Sequence, residues 1–384
     1  MNYRLGLIVN PVAGMGGAVG LKGTDGDRYN RALARGATAV SPRRTAIALA
    51  ALDRLQARVE LVTCSGPMGE DAAKATGLNY RVVCGPGTRR SVPADTASAA
   101  TALDRHDIDL LLFAGGDGTA RDLLAAVDRR TPVLGIPSGV KMHSAVFAPG
   151  PTAAGHIATA FLDGGCNPND LVDAEVMDRK EDESSPCLFG SLRVPACALW
   201  TPHPKAGAAG GAMLNGALEH VARLARDDRL TLIGPGTTMR AVKQRLGFDG
   251  TLLGVDAIER SELVETDMST EQILTLLDGR KGRIVVSIVG GQGFLFGRGN
   301  QQFSPAVIRC VGAHNIVVVA AMEKLAALDG RPLFVDTGDE ELDQELAGFI
   351  NVRTGARRSV QYRVASSAAL VIETECRAAA SPQA

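Results

Sequence analysis

The sequence predicts an α/β fold in two domains, a parallel α/β N-terminal domain and a mixed second domain, with a cleft between them. Two observations carry this. The chain has 384 residues, more than the roughly 250 at which a single hydrophobic core stops growing. Short apolar runs also recur, at 5–9, 110–114 and 133–136, and again at 230–233, 252–255, 283–289, 316–320 and 333–335. Most give way to Gly, Pro or a turn-forming polar residue and then a helix-like stretch, which is the rhythm of a parallel sheet covered by helices. We therefore divide the chain into a domain over 1–150 and a second over 151–384, with the segment after about 320 packing back on the first.

Composition narrows the class of function. Hydrophobic residues make up 45% and charged residues 22%, enough to build sizeable cores. A net charge of −1 with 4% aromatics supplies neither a basic stripe nor stacking platforms, which argues against nucleic acid. No run of 18 apolar residues and no signal-peptide core occurs, so neither a membrane partner nor export is expected. The seven cysteines are scattered without a Cys-x-x-Cys pair, which fits a reduced, cytoplasmic setting. The sequence leaves room for a homo-oligomer.

The first apolar run ends in Asn10-Pro11-Val12-Ala13-Gly14-Met15-Gly16-Gly17. At the carboxyl edge of a parallel sheet this is either a plain turn or a phosphate contact through Asn10, Gly14, Gly16 and Gly17. The run at 110–114 leads into Gly115-Gly116-Asp117-Gly118-Thr119 and a helix-like stretch. Gly115, Gly116 and Gly118 let the backbone turn sharply beside a pyrophosphate. Thr119 with Asp122 reads as a capping box whose free N–H groups attract phosphate. Asp117 in such a place either caps the helix, binds magnesium or takes a proton from an attacking hydroxyl. No Gly-Lys-Ser/Thr follows, so this is not a Walker A loop.

After the run at 133–136, Lys141 and Ser144 lie on the same edge, and Lys141 is a candidate for neutralising charge on a transferred phosphoryl group; His143 reads better as a packed residue. The charged stretch 175–185 reads as a surface loop or hairpin, and the small-residue run 205–212 as a linker or a lid.

In the second half, Gly234-Pro235-Gly236-Thr237-Thr238 repeats the strand, loop and helix-start arrangement, making Gly234, Gly236, Thr237 and Thr238 either a capped helix entry or phosphate contacts. Asp256, at the end of an expected strand over 251–255, is a candidate ribose or magnesium ligand, or a cap. Gly290-Gly291-Gln292-Gly293 and Gly297-Arg298-Gly299-Asn300-Gln301 crowd glycines with amide and guanidinium donors, so Gly291, Gln292, Arg298 and Asn300 are further ligand candidates. Asp336 and Asp339 are paired carboxylates that either approach a cation or close their own turn.

The Gly-Gly-Asp-Gly-Thr string resembles the signature shared by NAD kinases and diacylglycerol and sphingosine kinases. The segment 10–17, with Leu21-Lys22-Gly23-Thr24-Asp25-Gly26 and Gly135-Ile136-Pro137-Ser138-Gly139-Val140-Lys141-Met142-His143-Ser144, is similar to the bacterial ATP-NAD kinase-like branch that includes the acetoin-catabolism protein AcoX. The likeness continues through Glu175-Val176-Met177-Asp178 and Asp336-Thr337-Gly338-Asp339. It implies a two-domain NAD kinase-like fold with its site in the cleft, and transfer of a phosphoryl group from ATP, with Mg2+, to a hydroxyl. Asp117 would be the base and NAD the first acceptor to expect. The Asn-Glu pair by which NAD kinases hold the dinucleotide has no counterpart here, so a kinase of another hydroxylated metabolite and a non-catalytic nucleotide sensor stand as alternatives.

Overall fold

The computed structural model describes residues 3–21, 27–52, 55, 58–85, 91–128, 130–140, 142–164, 171–178, 187–196, 211–289 and 293–368. Lys141, Gly291 and Gln292 lie outside these residues, as do the run 205–210 and the end of the chain.

The first layer is a five-stranded, all-parallel sheet. Its strands are β1 (Tyr3–Val9), β2 (Val59–Cys64), β3 (Tyr80–Cys84), β4 (Leu110–Gly115) and β5 (Val133–Pro137), in the order β3-β2-β1-β4-β5. The strands are apolar on both faces because both are covered. Leu5, Leu7, Leu110 and Leu112 pack on one side against α2 (Ser41–Ala50) and α6 (Pro151–Leu162). Ile8, Leu111 and Phe113 pack on the other against α4 (Pro93–Asp104), α5 (Asp117–Leu124) and a hairpin of β6 (Leu171–Asp178) with β7 (Cys187–Pro195). A division at residue 150 thus separates the first sheet from α6 and the hairpin that cover it. The charged stretch begun at Glu175 is strand β6 as far as Asp178, because Ala174 and Val176 point into this core.

Cys64 and Cys84, neighbours in register at the carboxyl ends of β2 and β3, form a disulfide. This corrects the expectation of unpaired cysteines. Twenty residues separate the pair, and parallel pairing rather than sequence proximity brings the two together. Such bonds are rare in reducing compartments, so cysteine usage does not support a cytoplasmic location. No helix among the described residues is long and apolar enough to cross a membrane.

The second layer is a nine-stranded mixed sheet. Parallel pairs join β8 (Leu230–Ile233), β11 (Gly282–Val286), β13 (Ile316–Val319) and β15 (Gly348–Arg353), and also β12 (Phe294–Phe296), β14 (Leu333–Val335) and β16 (Ser359–Ser366). Antiparallel pairing adds β9 (Val255–Glu259) and β10 (Glu262–Met268) at one edge and joins β15 to β16. α7 (Gly211–Leu224) and α8 (Thr237–Arg245) cover one face; α9 (Thr270–Leu277) and α10 (Pro305–Val311) pack on the other.

Asp256 is the second residue of β9 and not the end of a strand over 251–255. It is fully buried, and its carboxylate accepts from Thr251 N (2.7 Å), Thr251 Oγ1 (2.6 Å) and Asp267 N (2.9 Å) and faces Lys243 Nζ at 2.9 Å. Lys243 also donates to the Thr251 and Gly254 carbonyls. Burial pulls the Lys243 pKa down and Asp256 opposes that shift. The pair therefore pins the 251–254 turn inside the second domain.

The two sheets meet through specific polar contacts. From α2, Arg44 forms an ion pair with Asp336 at the end of β14, and Arg43 Nη2 donates to the Gly338 carbonyl at 2.6 Å. Arg298 Nη2 donates to the Ala148 and Pro149 carbonyls, both at 2.8 Å, while its guanidinium lies 4.0 Å from the Phe294 ring centroid. Thr270 N donates to Ala18 O at 3.0 Å.

Breaking a buried pair from one side strands the remaining charge. Lys243→Met is therefore expected to cost about 3 kcal/mol in urea unfolding, with Lys243→Met/Asp256→Leu costing less. Arg44→Met leaves Asp336, 3% exposed, without its cation at the junction. Calorimetry is expected to show a broader or more clearly split unfolding transition in that variant than in the wild type, as one domain loses its hold on the other.

Candidate active site

Three loops meet at the carboxyl edge of the first sheet. Order β1-β4-β5 places the loops after these strands side by side. Asn10 ties the first two: its N–H donates to Ala114 O at 2.9 Å and its Nδ2 to Thr119 Oγ1 at 3.0 Å, while its Oδ1 accepts from Val12 N. The Ser138 and Gly139 N–H groups both donate to Gly115 O, which ties the third. Gly116 and Gly139 pass so closely that a Cβ on either would press into the other's backbone. At Gly14, with φ of +81°, a side chain would collide with the Ser138 carbonyl.

The helix α5 begins at Asp117, with Gly116 as its N-cap residue in extended conformation. This corrects the assignment of Thr119 as cap with Asp122 completing a box. Thr119 is already inside the first turn and 3% exposed, its hydroxyl engaged by Asn10.

Asp117 is 5% exposed. Its Oδ2 accepts from His143 N at 2.6 Å; its Oδ1 accepts from Ser144 N at 3.0 Å and Ser144 Oγ at 2.6 Å. Burial pushes its pKa up to about 6, against these donors, which act to lower it; the charge of nearby Asp178 adds to the rise. Asp178 in turn pairs with Arg121 Nη1 at 2.8 Å. A carboxylate with such a pKa sits where a general base is useful near neutral pH. Oδ2 has only one of these donors, and Oδ1 regains a lone pair for a proton when the Ser144 hydroxyl turns its hydrogen away.

The second domain closes on this edge. Gly299 N donates to Val140 O at 3.0 Å, and Gln301 Nε2 donates to Val140 O at 3.0 Å and Gly139 O at 3.4 Å. The Gln301 side chain also lies against Gly17, and its buried Oε1 has no partner among the described residues.

Asn10, Gly14, Gly16, Gly17, Gly115, Gly116, Asp117, Gly118 and Thr119 thus belong to one edge. The candidates from the second domain are distributed differently. Arg298 is 4% exposed; burial lowers its pKa to about 10, and its hydrogen bonds go to the domain junction. Asn300 holds its own loop, donating to Leu295 O and accepting from Gly297 N. Asp256 is consumed by Lys243, Thr251 and Asp267. Gly234 packs near Phe303, Gly236 is the N-cap residue of α8, and Thr237 and Thr238 begin that helix. Asp336 is held by Arg44, and Asp339 by Arg309.

Sequence reasoning weighed Ser144 only as a neighbour of Lys141 on the sheet edge. Its bond to Asp117, 27 positions away, has no local sequence signal.

Among the described residues, no group of three His, Cys, Asp or Glu side chains gathers to hold a metal ion. The acidic side chains of the edge and the junction already face protein donors.

Comparison with curated proteins and with solved structures found no match. Two family models do match: the ATP-NAD kinase N-terminal domain over residues 5–166 and the ATP-NAD kinase C-terminal domain over residues 226–364. The first covers the sheet with the Gly-Gly-Asp-Gly-Thr loop and the second nearly all of the nine-stranded sheet, so by sequence and architecture together this chain belongs to the ATP-NAD kinase family.

Proposed function

We propose that the protein transfers a phosphoryl group from MgATP to a hydroxyl of a nucleotide-type acceptor, with NAD the first acceptor and NADP the product. The observation that carries this reading is Asp117: a carboxylate buried where three ligand loops meet, held by the 143–144 turn, with a pKa near 6.

In this reading the nucleotide phosphates lie along Gly14–Gly17 and Gly115–Thr119, where glycines expose backbone N–H groups. The amino end of α5 adds its dipole to their attraction. Asp117 accepts the proton of the acceptor hydroxyl as the oxygen attacks phosphorus. Arg298, whose charge interacts with both Asp117 and Asp336, offsets negative charge through the field of the site. Lys141 is a further candidate for that role. Gln301 Oε1, buried beside Gly17, is available to a donor on the bound molecule. Positioning and electrostatics supply most of the rate in such transfers.

A second reading, a kinase of another hydroxylated metabolite, is favoured by the segment likeness to the AcoX-containing branch and by the missing Asn-Glu pair. It uses the same base and the same phosphate loops.

The test is a magnesium-dependent assay with ATP and NAD that follows NADP by a coupled dehydrogenase and ADP release in parallel. Asp117→Asn is expected to keep its fold and nucleotide binding while kcat falls by roughly 10²- to 10⁴-fold. A fully active variant would remove Asp117 from the chemistry. ADP release without NADP, on addition of another hydroxyl compound, would transfer the reading to that acceptor.

The pH dependence follows from the same group. Asp117 must be ionised to accept a proton, so its active fraction grows as pH rises through its pKa of about 6. Below that value kcat is expected to fall by about tenfold per pH unit, with a plateau above it. A rate independent of pH between 5 and 7 would contradict the assignment.

A further inference from the structure

Ser144 is 1% exposed, so no substrate reaches it. Its hydroxyl oxygen nevertheless has three polar neighbours: Asp117 Oδ1 at 2.6 Å, Met177 O at 2.9 Å, and Met177 N, which donates to it at 3.0 Å. A serine hydroxyl carries one hydrogen. Two acceptors, the Asp117 carboxylate and the Met177 carbonyl, compete for it.

We propose that Ser144 is a positioning residue that lets Asp117 gain and lose a proton without leaving a buried group unmatched. When Asp117 is ionised, the Ser144 hydrogen goes to Oδ1, a charge-assisted bond that outcompetes the neutral carbonyl. When Asp117 takes the acceptor's proton on Oδ1, that new O–H donates to Ser144 Oγ, which still accepts from Met177 N. The Ser144 hydrogen then turns to Met177 O. One proton is gained by Asp117, none is lost by Ser144, and only the direction of the chain reverses.

The other two donors to Asp117 cannot do this. The N–H groups of His143 and Ser144 are fixed, and both favour the ionised form alone. With these donors only, a protonated Oδ1 would have no acceptor in the turn that holds it.

Among the described residues, the charged and titratable groups around Asp117 include Asp178 on β6, Arg121 and Asp122 on α5, His143 beside it in the turn, and Arg298 from the second domain. A pKa near 6 means that both protonation states are populated near neutral pH.

The proposal rests on the reading of Asp117 as a base, but its test needs neither nucleotide nor acceptor. Met177-Asp178 is the only Met-Asp pair in the sequence, so carbonyl-¹³C methionine with ¹⁵N aspartate gives one resolved carbonyl-to-amide signal for Met177. We expect this carbonyl to titrate with the same midpoint as the Asp117 carboxyl carbon, in wild type and in Ser144→Thr. In Ser144→Ala and in Asp117→Asn the response near pH 6 should vanish. If Ser144→Ala fails to fold, Ser144→Cys, whose thiol is a weak donor and acceptor, is expected to weaken the response, and an undiminished response there overturns the proposal. A Met177 carbonyl that ignores the Asp117 titration in wild type, or still follows it in Ser144→Ala, overturns the proposal. Should turnover be absent while the linked titration is present, the kinase reading fails and the proton chain stands. Where turnover is found, Ser144→Ala is expected to lower kcat by about tenfold or more with KM for ATP little changed, and Ser144→Thr to restore it. Wild-type kcat in Ser144→Ala would also overturn the role.

Discussion

The constraint on which the rest of the structure depends is that a carboxylate, Asp117, is taken out of water at the Gly-Gly-Asp-Gly-Thr loop. A buried charge has to find donors, and α5, which begins at Asp117 itself, supplies none of those described. The donors come from the turn at 143–144, which must therefore lie against the start of α5. That requirement fits with Gly116 and Gly139 touching, with Gly115 O receiving the Ser138 and Gly139 N–H groups at the start of the same loop, and with the loops after β4 and β5 acting as one unit. The Asn10 bridge to Thr119 adds the loop after β1. Specific hydrogen bonds, backed by the buried Met142, Val146 and Phe147 of the loop after β5, thus fix the geometry of this edge.

A rigid edge would be of little use if the second domain could drift from it. The junction is built from paired charges and backbone contacts: Arg44 with Asp336, Arg298 with two carbonyls of the first domain, Gln301 and Gly299 with the 139–140 backbone. Contacts of this kind are directional, so they fix register, and they can exchange for water at modest cost where exposed. The Arg298 guanidinium is the exception. Held on carbonyls and over Phe294, it is placed by the junction and felt at the active edge through its charge. A residue can thus matter to the chemistry without touching the substrate, and Gly297 before it is required by the close passage of the Asp336 backbone.

Much of the fold was legible in the sequence. The apolar strands β1, β4 and β5 are buried on both faces, so they read as continuous apolar runs ending in Asn, Gly or Pro, and the loops after them could be placed on one edge. β3 and β10 could not be read this way, since these edge strands are exposed along most of their length and β10 carries polar residues over Glu262–Met268. The β9–β10 turn is also silent, because Arg260 and Ser261 take the positive φ values that Gly or Asn would have advertised. Loop composition marked the place of Asp117 but misjudged the helix start by three residues. In Asp256 and Asn300 the same polar-residue-in-a-loop signal marked structural roles, since a buried polar group looks alike in sequence whether its partner is a ligand or the protein.

What sequence could not supply was the partner of each buried group, and at Asp117 that partner decides the chemistry. A carboxylate fixed only by amide N–H groups is stabilised as an anion and becomes a poor base, since every donor favours keeping the charge. A carboxylate in bare apolar surroundings is protonated and has no vacancy for a proton. Asp117 stands between these limits: burial raises its pKa, three donors oppose the rise, and the balance falls near 6. Of those donors, only a hydroxyl can change from giving to receiving. A proton acceptor that must work away from bulk water therefore needs a neighbour of the Ser144 kind, and the bond from Ser144 to Met177 shows where the displaced hydrogen goes.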